Sequence, residues 1–420
     1  MQYEEIIQLI QSKRRFGQAY GRDVTREMMA HLSYPEQGMQ VIHIAGTNGK
    51  GSTAVFVSSI LQAAGFVVGR FTSPHLVRFT ERIVVNGEEI GQEDVVRLGT
   101  RLLALPMQQE CTMFDLCLGM AILYFRECHC DYVVLETGLG GAKDSTAGLS
   151  CVPRVCGFTN IGLDHTALLG DTMEEIAAEK AGILKKGTEA VLGCMDKNAR
   201  NVIESHAAQL GVRTHNVDNL LTRISTYKIA LNGLFQWENA ALAVGIVETL
   251  FNQESGYLLD NFLSKKEEII ARGLAEAKWP GRMEVVSEKP YILVDGAHNP
   301  QGVEALFNSL REQFPGEKFV FFAGVMADKD YSAMMERMFP LAEAFFCGTV
   351  DSERSLQAQA LAEQLQQQGQ RAFACDDLLR GLTAAVRFAE QQHCRVVCFG
   401  SLYFIGEVKR ELQDNPHVIG

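Results

Sequence analysis

Short, continuously apolar runs alternate along most of this chain with longer amphipathic stretches, and that alternation limits the fold more than any other feature. The runs predict strands over 41–45, 132–135, 155–159, 190–192, 291–294, 318–322, 344–347 and 396–399. Between them, 3.6-residue periodicity predicts helices over 53–64, 114–127, 173–183, 238–250, 301–313 and 378–392. Strands apolar on both faces and separated by helices imply parallel sheets covered on both sides, an α/β fold. Near Trp279-Pro280-Gly281-Arg282 a charged helical stretch (265–278) stops, Pro-Gly breaks the chain, and a new strand pattern begins. This predicts a large domain over 1–281 and a smaller Rossmann-like α/β domain over 282–420. No repeat or low-complexity tract interrupts the pattern; 366–370 is Gln-rich but too short to matter.

The chain has 420 residues, of which 47% are hydrophobic and 21% charged, which excludes a disordered chain. No apolar run approaches the ~18–20 residues that span a bilayer. The start, MQYEEIIQLIQSKRRF, lacks the apolar stretch of a signal peptide, so the expected location is the cytoplasm. A formal charge of −12, from 39 basic and 51 acidic residues, argues against nucleic-acid binding. Small anionic ligands remain compatible, because local cations outweigh distant charge over a Debye length of ~8 Å. The 11 cysteines read as reduced, mostly buried thiols. Cys128-His129-Cys130 has no convincing second pair with which to form a zinc site.

The strongest local signal follows the strand at 41–45. Gly46-Thr47-Asn48-Gly49-Lys50-Gly51-Ser52-Thr53 places glycines, a lysine and hydroxyls where a strand passes into a helix. Glycines let backbone N–H groups turn toward phosphate oxygens, and the helix N-terminus adds the positive end of its dipole. Lys50 supplies a point charge for the terminal phosphates. The common eight-residue loop wants Gly where Ile44 stands and Ser or Thr where Gly51 stands, so this is a variant.

Other polar clusters also follow strands. Glu136, opening Glu136-Thr137-Gly138-Leu139-Gly140-Gly141, comes at a carboxyl strand end, where α/β proteins bind ligands and a carboxylate suits Mg²⁺. Asp164 and His165 repeat that placement after the next strand. Asp295-Gly296-Ala297-His298-Asn299-Pro300 brings Asp, His and Asn to one turn; Asp295 or Asn299 alone is also readable as a helix cap. Asp328-Lys329-Asp330 and Gly400-Ser401 follow later strands. Polar strand ends in both domains suggest a ligand held between them.

The ordered set GTNGKGS (46–52), TSPHL (72–76), ERI (81–83), ETGLGG (136–141), NIGLDHT (160–166), EKAGI (179–183), WPGR (279–282), DGAHNP (295–300), DKD (328–330) and GSLY (400–403) resembles the folylpolyglutamate synthase/dihydrofolate synthase family of Mur-type ligases. The likeness runs over nearly the whole chain, in the family's order. It implies a P-loop-type ATP-binding domain that also binds folate, followed by a glutamate-ligase domain. It further implies transfer of phosphate from ATP to a substrate carboxylate and attack by L-glutamate on the acyl phosphate. By resemblance, Thr47, Asn48, Gly49, Lys50, Gly51, Ser52, Asn239, Arg282 and Asp295 bind ATP. Ser73 and Glu136 hold one Mg²⁺ and His165 a second. Lys50, Lys180, His165 and His298 form the catalytic set, with Lys180 carbamylated. Thr112, Phe114, Asp144 and Ser401 face the substrate. The expected partners are ATP, L-glutamate and either a reduced folate or dihydropteroate, with K⁺ as a further cation and a monomer as the usual state.

The sequence departs from the family in three places. After ETGLGG the family continues Arg-Leu-Asp-Ala-Thr-Asn, whereas here Ala142-Lys143-Asp144-Ser145-Thr146-Ala147 stands. Asp115 replaces a favoured Glu, and Phe235 a common His. The first two changes fall on the pterin side by resemblance, and together the departures put dihydropteroate in more doubt than glutamate addition. Two competitors follow: a Mur-type ligase for another carboxylate, and an ATP-binding relative without catalysis. The stretch 15–22 favours folate, and the presence of Lys50, Glu136, His165 and Lys180 favours catalysis.

Overall fold

The computed structural model describes residues 2–13, 21–254 and 257–415. Arg15 to Tyr20, most of the stretch that favoured folate, lie outside the described residues. The chain divides into two compact units, Met1–Ala230 with Gln236–Lys278, and Leu231–Phe235 with Trp279–Gly420.

The first unit is built on an eight-stranded sheet in the order β4-β3-β2-β5-β1-β6-β7-β8. Its strands are β1 (Gln40–Ala45), β2 (Val68–Phe71), β3 (Ile83–Val85), β4 (Glu88–Glu89), β5 (Tyr132–Glu136), β6 (Val155–Phe158), β7 (Glu189–Leu192) and β8 (Arg213–Asn216). From β2 to β8 neighbouring strands are parallel, and β3 and β4 add an antiparallel edge. Ile44 is level with Glu136 on one side and Gly157 on the other, so three carboxyl ends are aligned. The chain leaves β1 toward β2 and leaves β6 toward β7, in opposite directions along the sheet. Such a reversal opens a crevice at the carboxyl ends of two adjacent strands.

Helix Lys50–Ala63 follows β1 and is buried on nearly every side. Helix Tyr257–Glu276 crosses it closely: a Cβ on Gly273 would lie 2.5 Å from the Ile60 Cα, and Ser59 donates to the Gly273 carbonyl at 2.7 Å. Only glycine permits that approach.

The second unit has a six-stranded sheet in the order β13-β12-β11-β14-β10-β9. Here β9 (Glu284–Glu288) is antiparallel to β10 (Tyr291–Val294), and β11 (Phe319–Ala323), β12 (Ala342–Cys347), β13 (Ala372–Ala374) and β14 (Arg395–Phe399) run parallel to β10. Its core is rich in phenylalanine, with Phe321 stacked on Phe345 at 5.4 Å and edge-on to Phe399 at 5.5 Å.

Every predicted strand and helix has a counterpart, but β2, β3, β4, β8, β9 and β13 were not among the predicted strands. β2 lies inside the sheet yet reads Val-Gly-Arg-Phe. Gly69 is required there because the Phe125 ring lies 2.6 Å from where a Cβ would stand. β8 is an edge strand with no fully buried residue. The cysteines are unpaired, as expected. Of them only Cys117, Cys156, Cys347 and Cys398 are fully buried, a correction to the expectation that most are. No helix of the described residues is long and apolar enough to cross a membrane.

Candidate active site

At the end of β1 the chain turns through Gly46 (φ +148°) and Gly49 (φ +86°) into helix Lys50–Ala63. Both glycines are required. A Cβ on Gly46 would lie 1.7 Å from Thr159 Oγ1, and one on Gly49 2.2 Å from Asn239 Oδ1. The loop is pinned to the segment after β6: Thr47 N donates to the Asn160 carbonyl at 2.8 Å, and Asn48 N to Asn160 Oδ1 at 2.9 Å. Thr47 Oγ1 donates to the Gly162 carbonyl at 3.1 Å and accepts from Gly162 N at 2.9 Å. Asn160, which the sequence reading did not select, is therefore the residue that shapes the loop. Gly49→Ala is expected to strain the turn by about 1–2 kcal/mol and to weaken binding of an ATP analogue roughly 10-fold. Calorimetric titration checks this, and unchanged affinity would remove the loop from the phosphate site.

Two lysines meet on one oxygen. Lys50 Nζ donates to the carbonyls of Gly46 (3.2 Å) and Thr47 (3.0 Å), and Lys180 Nζ donates to the same Gly46 carbonyl at 2.8 Å. Lys180 lies on helix Met173–Ala181 and is 4% exposed. Burial pushes its pKa from 10.5 down to about 7, with the Lys50 charge adding to the effect. Two amines converging on a neutral carbonyl beneath a glycine loop make a place that attracts anions.

Beside them, Glu136 ends β5 at 5% exposure, and its Oε2 accepts from Ser73 N at 3.1 Å. The Ser73 hydroxyl and Glu136 carboxylate are hard oxygen donors, and Mg²⁺ takes few protein ligands beside water and phosphate oxygens. These residues therefore fit that ion. His165 follows Asp164, whose carboxylate accepts from His165 N at 2.8 Å. Among the described residues no three His, Cys, Asp or Glu side chains are gathered to hold a metal ion.

Asn239, expected to bind ATP, is buried against Gly49, and its Nδ2 donates to Gln236 Oε1 at 3.0 Å. Gln236 in turn donates to Ser52 Oγ at 3.3 Å, so both support the loop from beneath. Three residues expected to face the substrate serve the protein's own frame. Thr112 caps helix Met113–Glu127 in a reciprocal pair with Asp115. Asp144 accepts from Leu139 N at 2.8 Å and Thr146 N at 3.0 Å. Ser401 caps helix Leu402–Asp414 by accepting from Tyr403 N at 3.2 Å. Phe114 is half-buried, its ring 2.6 Å from where a Gly138 Cβ would stand.

In the second unit, Arg282, Asp295 and His298 lie on adjoining turns. Asp295 Oδ2 accepts from Met283 N at 2.9 Å and Oδ1 from Ala297 N at 2.8 Å. Burial raises its pKa, opposed by the charge of Arg282. Asp295 thus fixes the turn in which Met283, at φ +44°, follows Arg282. His298 Nδ1 donates to the Gly296 carbonyl at 2.9 Å, which fixes the ring against the turn. The helix cap is Asn299, accepting from Gly302 N at 2.8 Å ahead of Pro300. Phe235, at a family His position, packs in the apolar cluster that includes Met283.

Residues 44–247 match the Mur ligase middle domain and residues 281–402 the Mur ligase glutamate ligase domain. The chain is 34% identical to the dihydrofolate synthase/folylpolyglutamate synthase of Bacillus subtilis, over 98% of this chain and 99% of that one. It superposes on Mycobacterium tuberculosis folylpolyglutamate synthase complexed with ADP with a TM-score of 0.87, at 26% identity and 97% coverage of both chains. The bifunctional Yersinia pestis folylpolyglutamate synthase/dihydrofolate synthase, complexed with AMPPNP and a Mn ion, gives 0.82 at 26% identity and 98% coverage of both.

Proposed function

Because this chain belongs to the folylpolyglutamate synthase/dihydrofolate synthase family of Mur ligases, we infer that it is an ATP-dependent ligase joining L-glutamate to the carboxylate of a folate. The observation that carries this reading is the pair of amines, Lys50 and Lys180, on the Gly46 carbonyl beneath the glycine loop.

A carboxylate is a poor electrophile, so it must first take the terminal phosphate of ATP and become an acyl phosphate. The amine of L-glutamate then attacks the acyl carbon, an amide forms, and phosphate leaves. Both steps bring anions together, and fixed positive charge favours them most strongly where water is excluded. On this reading the backbone from Thr47 to Ser52 and the helix N-terminus hold the phosphates. Lys50 follows the charge of the transferred group. Ser73 and Glu136, and separately His165, offer ligands to divalent ions, which supply further neutralisation when bound. Lys180, once carbamylated, presents an anion beside Lys50 in place of a second cation. Arg282 contacts ATP, with Asp295 fixing its turn, and His298 belongs to the catalytic set. Phe114 presents the apolar surface for a pterin ring, and Thr112, Asp144 and Ser401 hold the elements around the substrates. A monomer in the cytoplasm, stimulated by K⁺, completes the reading.

The test is ADP release with Mg²⁺, ATP and L-glutamate in the presence of dihydropteroate, a reduced folate, or neither. Release with reduced folate alone marks a folylpolyglutamate synthase whose 142–147 changes exclude the pterin acid. Release with both marks a bifunctional enzyme. Release with neither overturns the folate assignment.

A further inference from the structure

We propose that His43 is a positioning residue for the ligase reaction, clasping both ends of the 137–146 loop and thereby holding Glu136 and Lys180 in their working places. It rests on the roles of those two residues under the reading above.

His43 is in the middle of β1, level with Leu135 and Cys156, and is 2% exposed. Its neighbours along the strand are Ile42 and Ile44, and an aliphatic side chain is what a central parallel strand ordinarily places there. A buried imidazole is costly unless its polar atoms are bonded. Here Nε2 is 2.8 Å from Thr146 Oγ1 and 3.1 Å from Thr137 Oγ1, so one nitrogen serves two hydroxyls. The direction of these bonds can be assigned. Thr146 gives its hydroxyl proton to Asp144 Oδ1 and must therefore accept from His43. The proton is on Nε2, and Thr137 takes the second branch of a forked bond. Burial pushes the ring's pKa down to about 3, so it is neutral in this role.

The two threonines are the two ends of the loop. Thr137 directly follows Glu136, and its N–H donates to the Ile44 carbonyl at 2.9 Å. Thr146 is tied through Asp144 to Leu139 N at 2.8 Å. The middle of the same loop lies on the helix that carries Lys180. Ala142 N donates to the Glu179 carbonyl at 2.8 Å and Lys143 N to Glu179 Oε1 at 3.2 Å. A Cβ on Gly141 would lie 2.7 Å from the Lys180 carbonyl oxygen, so the approach is as close as the backbone allows. The loop is thus the spacer between the Glu136 strand end and Lys180, and His43 is the clasp that closes it. None of these contacts reaches a substrate; His43 acts only through the loop.

The test compares His43→Leu with His43→Gln, whose amide reaches the same point with two N–H donors. In His43→Leu, the amides of 137–146 in the ligand-free protein are expected to exchange hydrogen roughly 10-fold faster, the Mg²⁺ concentration for half-maximal turnover to rise roughly 10-fold, and kcat to fall by a similar factor. The KM for ATP stays within about 2-fold, because the phosphate loop keeps its own ties to Asn160. His43→Gln restores all three readouts to within about 3-fold of wild type. Wild-type exchange together with a wild-type Mg²⁺ requirement in His43→Leu would overturn the proposal, as would a merely lowered melting temperature with both variants alike. Should His43→Leu not fold, Thr137→Val removes one arm of the clasp and keeps the core side chain. Its 137–146 amides are expected to exchange faster than wild type, and unchanged exchange overturns the proposal. The exchange measurement needs no turnover, so it stands even if the wild-type protein proves inactive on folates.

Discussion

Lys50→Ala is expected to fold normally and to lose turnover by roughly 10³-fold, since a fixed charge on the transferred phosphoryl group contributes several kcal/mol in a shielded site. Among the described residues the side chain bonds to the carbonyls of its own loop, at Gly46 and Thr47, which carry no charge, so its removal strands no bonded carboxylate there. Its melting temperature should therefore stay near that of wild type while kcat/KM for ATP collapses. Lys50→Arg should recover little, because a planar fork does not replace a compact ammonium inside a tight glycine turn. Steady-state ADP release beside a thermal melt separates the two effects. Near-normal turnover in Lys50→Ala would remove the central cation from the account.

Lys180→Ala is expected to lose activity by roughly 10²–10³-fold, and short carboxylic acids should restore part of it. With its pKa brought to about 7, the Lys180 amine is substantially neutral at physiological pH, and a neutral amine is the form that adds CO₂. Addition forms an N–C bond and releases a proton, placing a carbamate anion beside the Lys50 cation. Wild-type activity should accordingly fall in CO₂-free buffer and return with bicarbonate. No rescue by any carboxylic acid would count against the carbamate.

The same shift makes a stability prediction. In the unmodified chain, between pH 7 and 10.5, the unfolded state binds a proton at Lys180 that the folded state does not, so this group makes stability rise with pH across that window. Below about pH 7 both states are protonated and the slope vanishes. Lys180→Met should flatten the rise in melting temperature over that window in CO₂-free buffer. Equal slopes in the two proteins would contradict the effect of burial on this amine.

The parts of the molecule legible in its sequence are those where one segment carries its own signal. β1 and β5 are mostly apolar because helices cover both faces, with His43 the polar exception inside β1 and Glu136 at the end of β5, and the glycine loop announces itself by residue type. Helix ends were less visible. The helix after the loop begins at Lys50, three residues before the predicted start, because Gly49 supplies the turn. Partners far apart in the chain carried no signal. Nothing near residue 43 points to Thr137 or Thr146, 94 and 103 residues away. Nor does Asn160 announce that it pins the phosphate loop, which follows only once β6 is known to lie beside β1. Thr112, Asp144 and Ser401 show the reverse case. Resemblance assigned them to the substrate side, and the capping of helices and closing of a loop by their polar atoms is a further use that only the folded structure displays.

The most direct measurement follows oxygen. With ¹⁸O in the acceptor carboxylate of a reduced folate, and Mg²⁺, ATP and L-glutamate present, the phosphate released should carry one ¹⁸O, because the bond broken when glutamate attacks an acyl phosphate lies between carbon and that oxygen. One labelled oxygen per phosphate, formed only when glutamate is joined to the folate, is the result this account predicts. Phosphate free of label, with ADP formed regardless of the folate, would contradict it.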